Sequence, residues 1–305
     1  MRIIILLVTI LFICSCSYTG QVVKDIIPEE NGTINIYFCP VDDCEGVLLG
    51  YLEDSIDIKC AFFDLELEEV IDVLDSKGAD VVTDEDNPGR ALMHNKFCIL
   101  DGSIVITGSM NPTDNGVGKN NNNLVVISSK YLVENYNNEF EELWKGKFGI
   151  GDEVDYPLIK FNGYFIENYF CPEDDCEEKV LDVLENANSS IYFMTFSFTS
   201  DKIGDFLITN KDRLDIKGIF EKFQNNKWSE YRKMENLDGI NIKFDTNSNM
   251  MHHKVFIIDN ETVILGSYNP TKNANENNDE NILIIHDEGI AELFLEEFER
   301  LFYES

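Results

Sequence analysis

The sequence predicts an α/β protein of two similar lobes, each a mixed β-sheet flanked by helices, related by a pseudo-twofold axis with a site between them. Three observations lead there. The phrase "MHNKFCILDGSIVITGSMN" at 93 to 111 returns without a gap as "MHHKVFIIDNETVILGSYN" at 251 to 269. The offset, 158 residues from His94 to His252, persists through "NNLVVI" and "ENILII" to "EFEELW" at Glu139 and "EFERLF" at Glu297. A register that long marks duplication of a whole domain rather than a short repeat array. Within each half, runs with strand period alternate with runs with helix period.

At the amino terminus, "MRIIILLVTILFICSCSYTG" has one arginine, an apolar run from Ile3 to Ile13, then small and sulfur-bearing residues. The run is short of the ~20 residues a spanning helix needs and has the form of a signal peptide. Cys16, after Ile-Cys-Ser, loosely resembles a lipoprotein processing site. Residues 1 to 20 are read as a signal peptide or lipoprotein-type leader, and the mature chain as extracytoplasmic, secreted or membrane-anchored. The first repeat is placed at 21 to 150 and the second at 151 to 305, with the boundary in "GKFGIGDEVDYPLIKFNG".

Each repeat opens on a strand that enters a cysteine phrase, "YFCPVDDCE" (37 to 45) or "YFCPEDDCE" (169 to 177). An oxidising compartment would close these as Cys39–Cys44 and Cys171–Cys176 disulfides. A four-cysteine zinc site is the rival, against which stand the wide internal spacing and the lack of a nearby histidine. Cys60 and Cys98 have no cysteine counterpart in the second repeat and are expected to be buried thiols. A helix follows each phrase ("CEGVLLGYLED", "CEEKVLDVLENA"), then a β-rich strand ("SIDIKCAFF", "SSIYFMTFSF"), another helix, the histidine hairpin and a closing strand. Each half ends in an amphipathic helix whose aromatics are expected in the core. From Cys39 to Cys171 the offset is only 132, so the second half holds surplus residues. They are assigned to "DIKGIFEKFQNNKWSEYRKMENLDGI", read as an added strand and helix.

The hairpins carry the chemistry. Side chains two apart on a strand share a face, so His252 and Lys254 point together while His253 points away. The chain turns at Asp259-Asn260, and the return strand brings Ser267 and Asn269 back beside the histidine. The first copy does the same with His94, Lys96, Asp101-Gly102, Ser109 and Asn111. Asp101 and Asp259 fall where aspartate is favoured for backbone reasons, and are assigned to fixing the turn. Imidazole can act as nucleophile or proton donor near neutrality, while lysine, asparagine and serine can hold the non-bridging oxygens of a phosphate diester. Two such clusters facing each other would put a histidine on either side of one phosphorus, the geometry of an in-line, two-step displacement.

The pattern H-x-K-x4-D-x6-G-S-x-N, at 94 to 111 and again at 252 to 269, resembles the doubled signature of the phospholipase D superfamily. The resemblance covers essentially the whole mature chain. It implies a phosphodiesterase that uses no metal or other cofactor and works through a phosphohistidine intermediate, by hydrolysis or transfer. By position, His94 and His252 would divide the roles of nucleophile and general acid. Lys96, Lys254, Asn111 and Asn269 would bind phosphate, with Ser109 and Ser267 in support. The resemblance also implies an acidic residue beyond the asparagine that orients a catalytic histidine, often the one in the opposite lobe. The second half offers Glu280 there, but the first has Asn122. A carboxylate bonded to imidazole raises its basicity far more than a neutral amide does. Cross-lobe pairing would therefore make His94 the nucleophile and leave His252 as the acid. His253 and His286 are given no part.

The superfamily chemistry does not choose the diester. A formal net charge of −33 repels polyanions, and export with a possible anchor points to phospholipid at a membrane surface. Nucleic acid is the alternative partner, because Lys211, Arg213, Lys217, Lys222, Lys227, Arg232 and Lys233 lie among aromatics such as Trp228. A third reading, a non-catalytic phosphate- or lipid-binding module, is opposed by the completeness of both clusters. No obligate protein partner is expected.

Overall fold

The computed structural model describes residues 27 to 304. The leader expected at 1 to 20, with Cys14 and Cys16, lies outside the described residues. The first repeat supplies β1 (Glu29–Glu30), β2 (Ile34–Cys39), α1 (Cys44–Asp54), β3 (Ile58–Phe62), α2 (Glu68–Lys77), β4 (Asp80–Thr83), β5 (Lys96–Leu100), β6 (Ile104–Gly108), α3 (Asp114–Gly118), β7 (Asn122–Ser128) and α4 (Lys130–Trp144). The second supplies β8 (Leu158–Phe161), β9 (Tyr164–Cys171), α5 (Cys176–Glu185), β10 (Ser190–Thr195), α6 (Asp201–Asn210), β11 (Asp215–Phe220), α7 (Tyr231–Met234), β12 (Ile240–Phe244), β13 (Lys254–Ile258), β14 (Thr262–Gly266), α8 (Lys272–Glu276), β15 (Glu280–His286) and α9 (Glu288–Glu304).

The strands form two sheets, ordered β2-β7-β6-β5-β3-β4 and β1-β8-β9-β15-β14-β13-β10-β11-β12. From β9 to β11 the second sheet repeats the first strand for strand, as duplication requires. The added pieces of the second repeat are α7 and β12, the latter parallel to β11. The "DIKGIF" strand, expected to be the addition, is β11 and has its counterpart in β4. Glu29 and Glu30 pair with β8, so the start of the described chain joins the second sheet rather than the first.

Both sheets are covered on both faces, which is why β5 and β13 are buried at every position rather than alternately. Phe97 and Ile99 face a central core, while Cys98 and Leu100 face α1 and α2 outside it. The second lobe repeats the division, with Val255 and Ile257 inward and Phe256 and Ile258 toward α5 and α6. The central core belongs to both lobes and is filled by the apolar stripes of α4 (Leu132, Tyr136, Phe140) and α9 (Phe294, Phe298, Leu301). Trp144, expected in the core, is 52% exposed, because it ends α4 and stacks on Phe140 from outside.

The Cys39–Cys44 and Cys171–Cys176 pairs are bonded. A third disulfide, Cys60–Cys98, overturns the expectation of free thiols. The two residues face each other directly across antiparallel β3 and β5, which brings their Cα atoms to 4.1 Å. At the same place in the second lobe, Phe193 faces Phe256 with ring centroids 5.9 Å apart.

The lobes meet through two bridges that repeat each other about the pseudo-twofold axis, Met93 with Asp279 and Met251 with Asn121. The His94 N–H donates to the Asp279 carbonyl at 2.9 Å, and the His252 N–H to the Asn121 carbonyl at 2.8 Å. Each histidine is thus fixed by backbone of the opposite lobe.

Candidate active site

Each hairpin turns on two consecutive residues in the left-handed region, Asp101 and Gly102 (φ 49° and 56°) or Asp259 and Asn260 (φ 55° and 58°). Such turns match the twist of the paired strands. Asp101 accepts from the N–H groups of Ile56 and Asp57, and Asp259 from those of Asn188, Ser189 and Ser190. Burial acts to raise the Asp259 carboxyl, but its backbone donors outweigh that and hold it down at about 2. Both aspartates lie away from the cavity that the histidines line, as turn residues should. The return strands end at Gly108 and Gly266, with φ of 136° and 144°. A Cβ there would stand 2.4 Å from the Asn123 carbonyl oxygen or 2.2 Å from that of Asn281. Only glycine lets the strand pass this close to its neighbour.

His94 and His252 line one cavity of about 470 Å³ between the lobes, together with Asn111, Asn269, Phe63 and Phe196. The Lys96 ammonium donates to the His94 carbonyl at 2.6 Å, and that of Lys254 to the His252 carbonyl at 2.7 Å. Phe63 packs on His94 with centroids 4.9 Å apart, and Phe196 on His252 at 4.6 Å. Each ring also lies under the lysine of its own lobe. Asn269 accepts from the Ser197 N–H at 3.3 Å, whereas the side-chain oxygen of Asn111 is buried without a partner.

The histidines differ in what holds them. His94 Nδ1 lies 2.7 Å from Glu280 Oε2, and that carboxylate also accepts from Ser267 Oγ at 2.7 Å and Asn278 Nδ2 at 3.2 Å. His252 Nδ1 lies 2.9 Å from Asn122 Oδ1, which accepts from Ser109 Oγ at 3.0 Å. Every atom facing either Nδ1 is an acceptor, the Ser109 carbonyl at 3.1 Å included. Both rings therefore carry the Nδ1 proton and keep the Nε2 lone pair free. Ser109 and Ser267 thus hold the partner of a histidine rather than lining the cavity.

All five ionisable groups are buried, and the charged forms suffer for it. Burial, then Lys96 and Lys254, pushes the His94 imidazole well below its usual range. Burial, then both lysines and His94, does the same to His252. Burial brings Lys96 down to about 7 despite Glu280, and Lys254 well below the lysine range. Glu280 is pushed up to about 7 by burial, against the pull of Lys96 and Ser267. An anionic diester entering here meets bases that regain protons as it arrives.

Six residues the motif did not single out form a second, deeper layer. Asn95 Nδ2 donates to Glu139 at 2.9 Å, and Asn281 Nδ2 donates to Asn95 Oδ1 at 2.7 Å. The repeated arrangement is His253, fully buried, between Glu297 at 3.3 Å and Asn123 at 3.0 Å. His253 does point away from Lys254, but it ties α9 to the opposite lobe. The signal was present in the recurrence of Glu139 and Glu297 on the apolar faces of their helices. His286 lies elsewhere, bonded to Glu167 and Thr262.

The family described as "Cardiolipin synthase, PLD-like domain" matches residues 13 to 144 and 180 to 302. The chain is 30% identical over 144 residues to the phospholipase D of Rickettsia typhi, covering 46% of this chain and 70% of that protein. It is 33% identical over 138 residues to the mitochondrial cardiolipin hydrolase of Mus musculus, covering 41% of this chain and 58% of that protein. The solved phosphatidylserine synthase of Haemophilus influenzae shares the fold, with a TM-score of 0.65 at 11% identity over 88% of this chain and 86% of its own. With both repeats matched, the chain belongs to the phospholipase D superfamily and is a phosphodiesterase of that type.

Proposed function

We propose that this chain cleaves phospholipid diesters at an extracytoplasmic membrane surface, with His94 as nucleophile and His252 as general acid. The observation that carries the assignment is the contact between His94 and Glu280, for which the second histidine has only Asn122. His94 Nε2 attacks phosphorus, the bond to the leaving oxygen breaks, and that oxygen takes a proton from His252 Nε2. The positive charge left on His94 is stabilised by Glu280 through Nδ1–H. Water then enters from the side the alcohol left, gives its proton to His252, and displaces His94. Lys96, Lys254, Asn111 and Asn269 hold the non-bridging oxygens, and an anion between the lysines restores the proton His252 must donate.

The names of the relatives support lipid as substrate, and so does the state of the basic stretch that nucleic acid would use. Lys211, Lys217 and Lys233 are ion-paired with Asp212, Asp215 and Glu230, and Arg213 is bonded to Asn210 and the Ala187 carbonyl. Asp64 and Glu66 also line the cavity. The test is a parallel assay, with chelator, on phosphatidylcholine and phosphatidylglycerol vesicles and on single-stranded and duplex DNA, with the phosphoenzyme trapped and mapped. Lipid cleavage with label on the peptide holding His94 is expected. Cleavage of DNA alone rejects the substrate, and label only on the peptide holding His252 reverses the roles.

A further inference from the structure

We propose that the loop at 222 to 228, "KFQNNKW", is the element that docks the protein on an anionic lipid surface, a step that rests on the phospholipid reading above. In a chain with 57 acidic against 24 basic residues, this stretch has two lysines and no acid. Phe223 and Trp228 are 66% and 68% exposed, and both lysines are exposed. An indole with its polar N–H edge, an apolar ring beside it and flanking lysines are side chains that settle at a bilayer interface.

Its position matters as much as its composition. Gln224 and Met250 line the catalytic cavity, and Met250 is itself 40% exposed, so the loop stands at the mouth. Glu221, buried at its base, accepts from the Phe223 N–H and the Met251 N–H, each at 2.7 Å, while Ser229 and Glu230 bury the other end. The tip is thus held next to the segment that carries His252 into β13. Across the pseudo-twofold axis, Asp84 accepts from the Met93 N–H in the same way, but the residues that follow are Glu85 and Asp86. Of these two equivalent loops, the one in the second lobe turns an aromatic, basic edge outward, so the surface is met from that side. A polynucleotide would need a longer run of unpaired cations than Lys222 and Lys227 offer.

The experiment uses the full chain with His94→Ala to stop turnover and Trp144→Phe to leave Trp228 as its sole indole. Vesicles of phosphatidylcholine with phosphatidylglycerol should shift Trp228 emission to the blue. Lys222→Gln and Lys227→Gln should each weaken binding about fivefold, and high salt should weaken it too. In the otherwise native chain, Phe223→Ser with Trp228→Ser should lower vesicle hydrolysis about tenfold or more, while leaving turnover of soluble bis(p-nitrophenyl) phosphate and of monomeric dihexanoylphosphatidylcholine unchanged. Unaltered co-sedimentation with vesicles, or unaltered vesicle hydrolysis, in the double variant would overturn the proposal, as would an emission shift with oligonucleotides and none with vesicles. Failure of the native chain to cleave even the monomeric lipid would instead count against the phospholipid reading, leaving the emission shift to report on docking separately.

Discussion

Replacing Glu280 by glutamine keeps the shape of the side chain and removes its charge. Glu280 is fully buried and surrounded by donors: His94 Nδ1–H and Ser267 Oγ–H at one oxygen, Asn278 Nδ2–H at the other. A glutamine must turn its NH2 toward one of these sites. Turned to Asn278, it sets two amide donors against each other and leaves His94 a neutral acceptor. Turned to His94, it donates to Nδ1, so the ring carries its proton on Nε2 and loses the lone pair the proposed attack requires. The first case forfeits a charge-assisted bond, ~1.5–3 kcal/mol or roughly 10- to 150-fold in rate. The second adds the wrong tautomer, for which about 10⁴-fold is known in a serine protease triad. We expect kcat to fall about 10²- to 10⁴-fold, and single-turnover phosphoenzyme formation to fall with it. Thermal stability should change little, because relief of a charge that burial makes costly, with this carboxyl pushed up to about 7, is offset by the donors left mismatched around the amide. Loss of less than threefold in phosphoenzyme formation, with the fold intact, would refute the reasoning. So would an equal loss for Asn122→Ala, which removes the amide beside His252.

Three more outcomes can be checked. Dimethyl phosphate, whose anion does not titrate near neutrality, should bind at pH 8 with uptake of roughly one proton, because Lys96 sits at about 7 in the free site and an anion raises it; calorimetry in buffers of different ionisation enthalpy reads this, and binding with no uptake would contradict it. Cys60→Ser with Cys98→Ser should destabilise the oxidised chain by about 4 kcal/mol, from the 38-residue separation the bond closes, seen as a lower denaturant midpoint. Gly266→Ala should cost about 3 kcal/mol or more, since it adds a Cβ 2.2 Å from the Asn281 carbonyl oxygen at a left-handed position; wild-type stability would deny the close approach.

What could be read from the sequence was whatever recurs or alternates. The 158-residue offset revealed both lobes, strand period separated His252 from His253, and a single mismatch between repeats pointed to the contact of His94 with Glu280 across the interface. What could not be read depended on strands meeting in space. Cys60 and Cys98 are 38 residues apart and pair only because β5 returns beside β3. The place of Glu297 on an apolar helix face signals its burial, but that it meets His253 depends on α9 lying between two sheets, which no local pattern states. Phe63 and Phe196 escaped because they lie at the ends of the β-rich strands, outside the motif, and meet the histidines only through sheet order. The added strand was misplaced because β11 and β12 have similar patterns, and only their neighbours show which has a counterpart.

The contrast between Glu280 and Asn122 also bears on why two lobes should share one chain. In a pair of identical subunits, any residue chosen for one side of the axis appears on the other as well. Two buried carboxylates would then compete for the same proton, or two amides would leave both imidazoles equally weak. Covalent linkage lifts that constraint, since each copy can change alone while the backbone bridges through Met93 and Met251 keep the frame symmetrical. The scaffold stays a palindrome, and the chemistry acquires a direction.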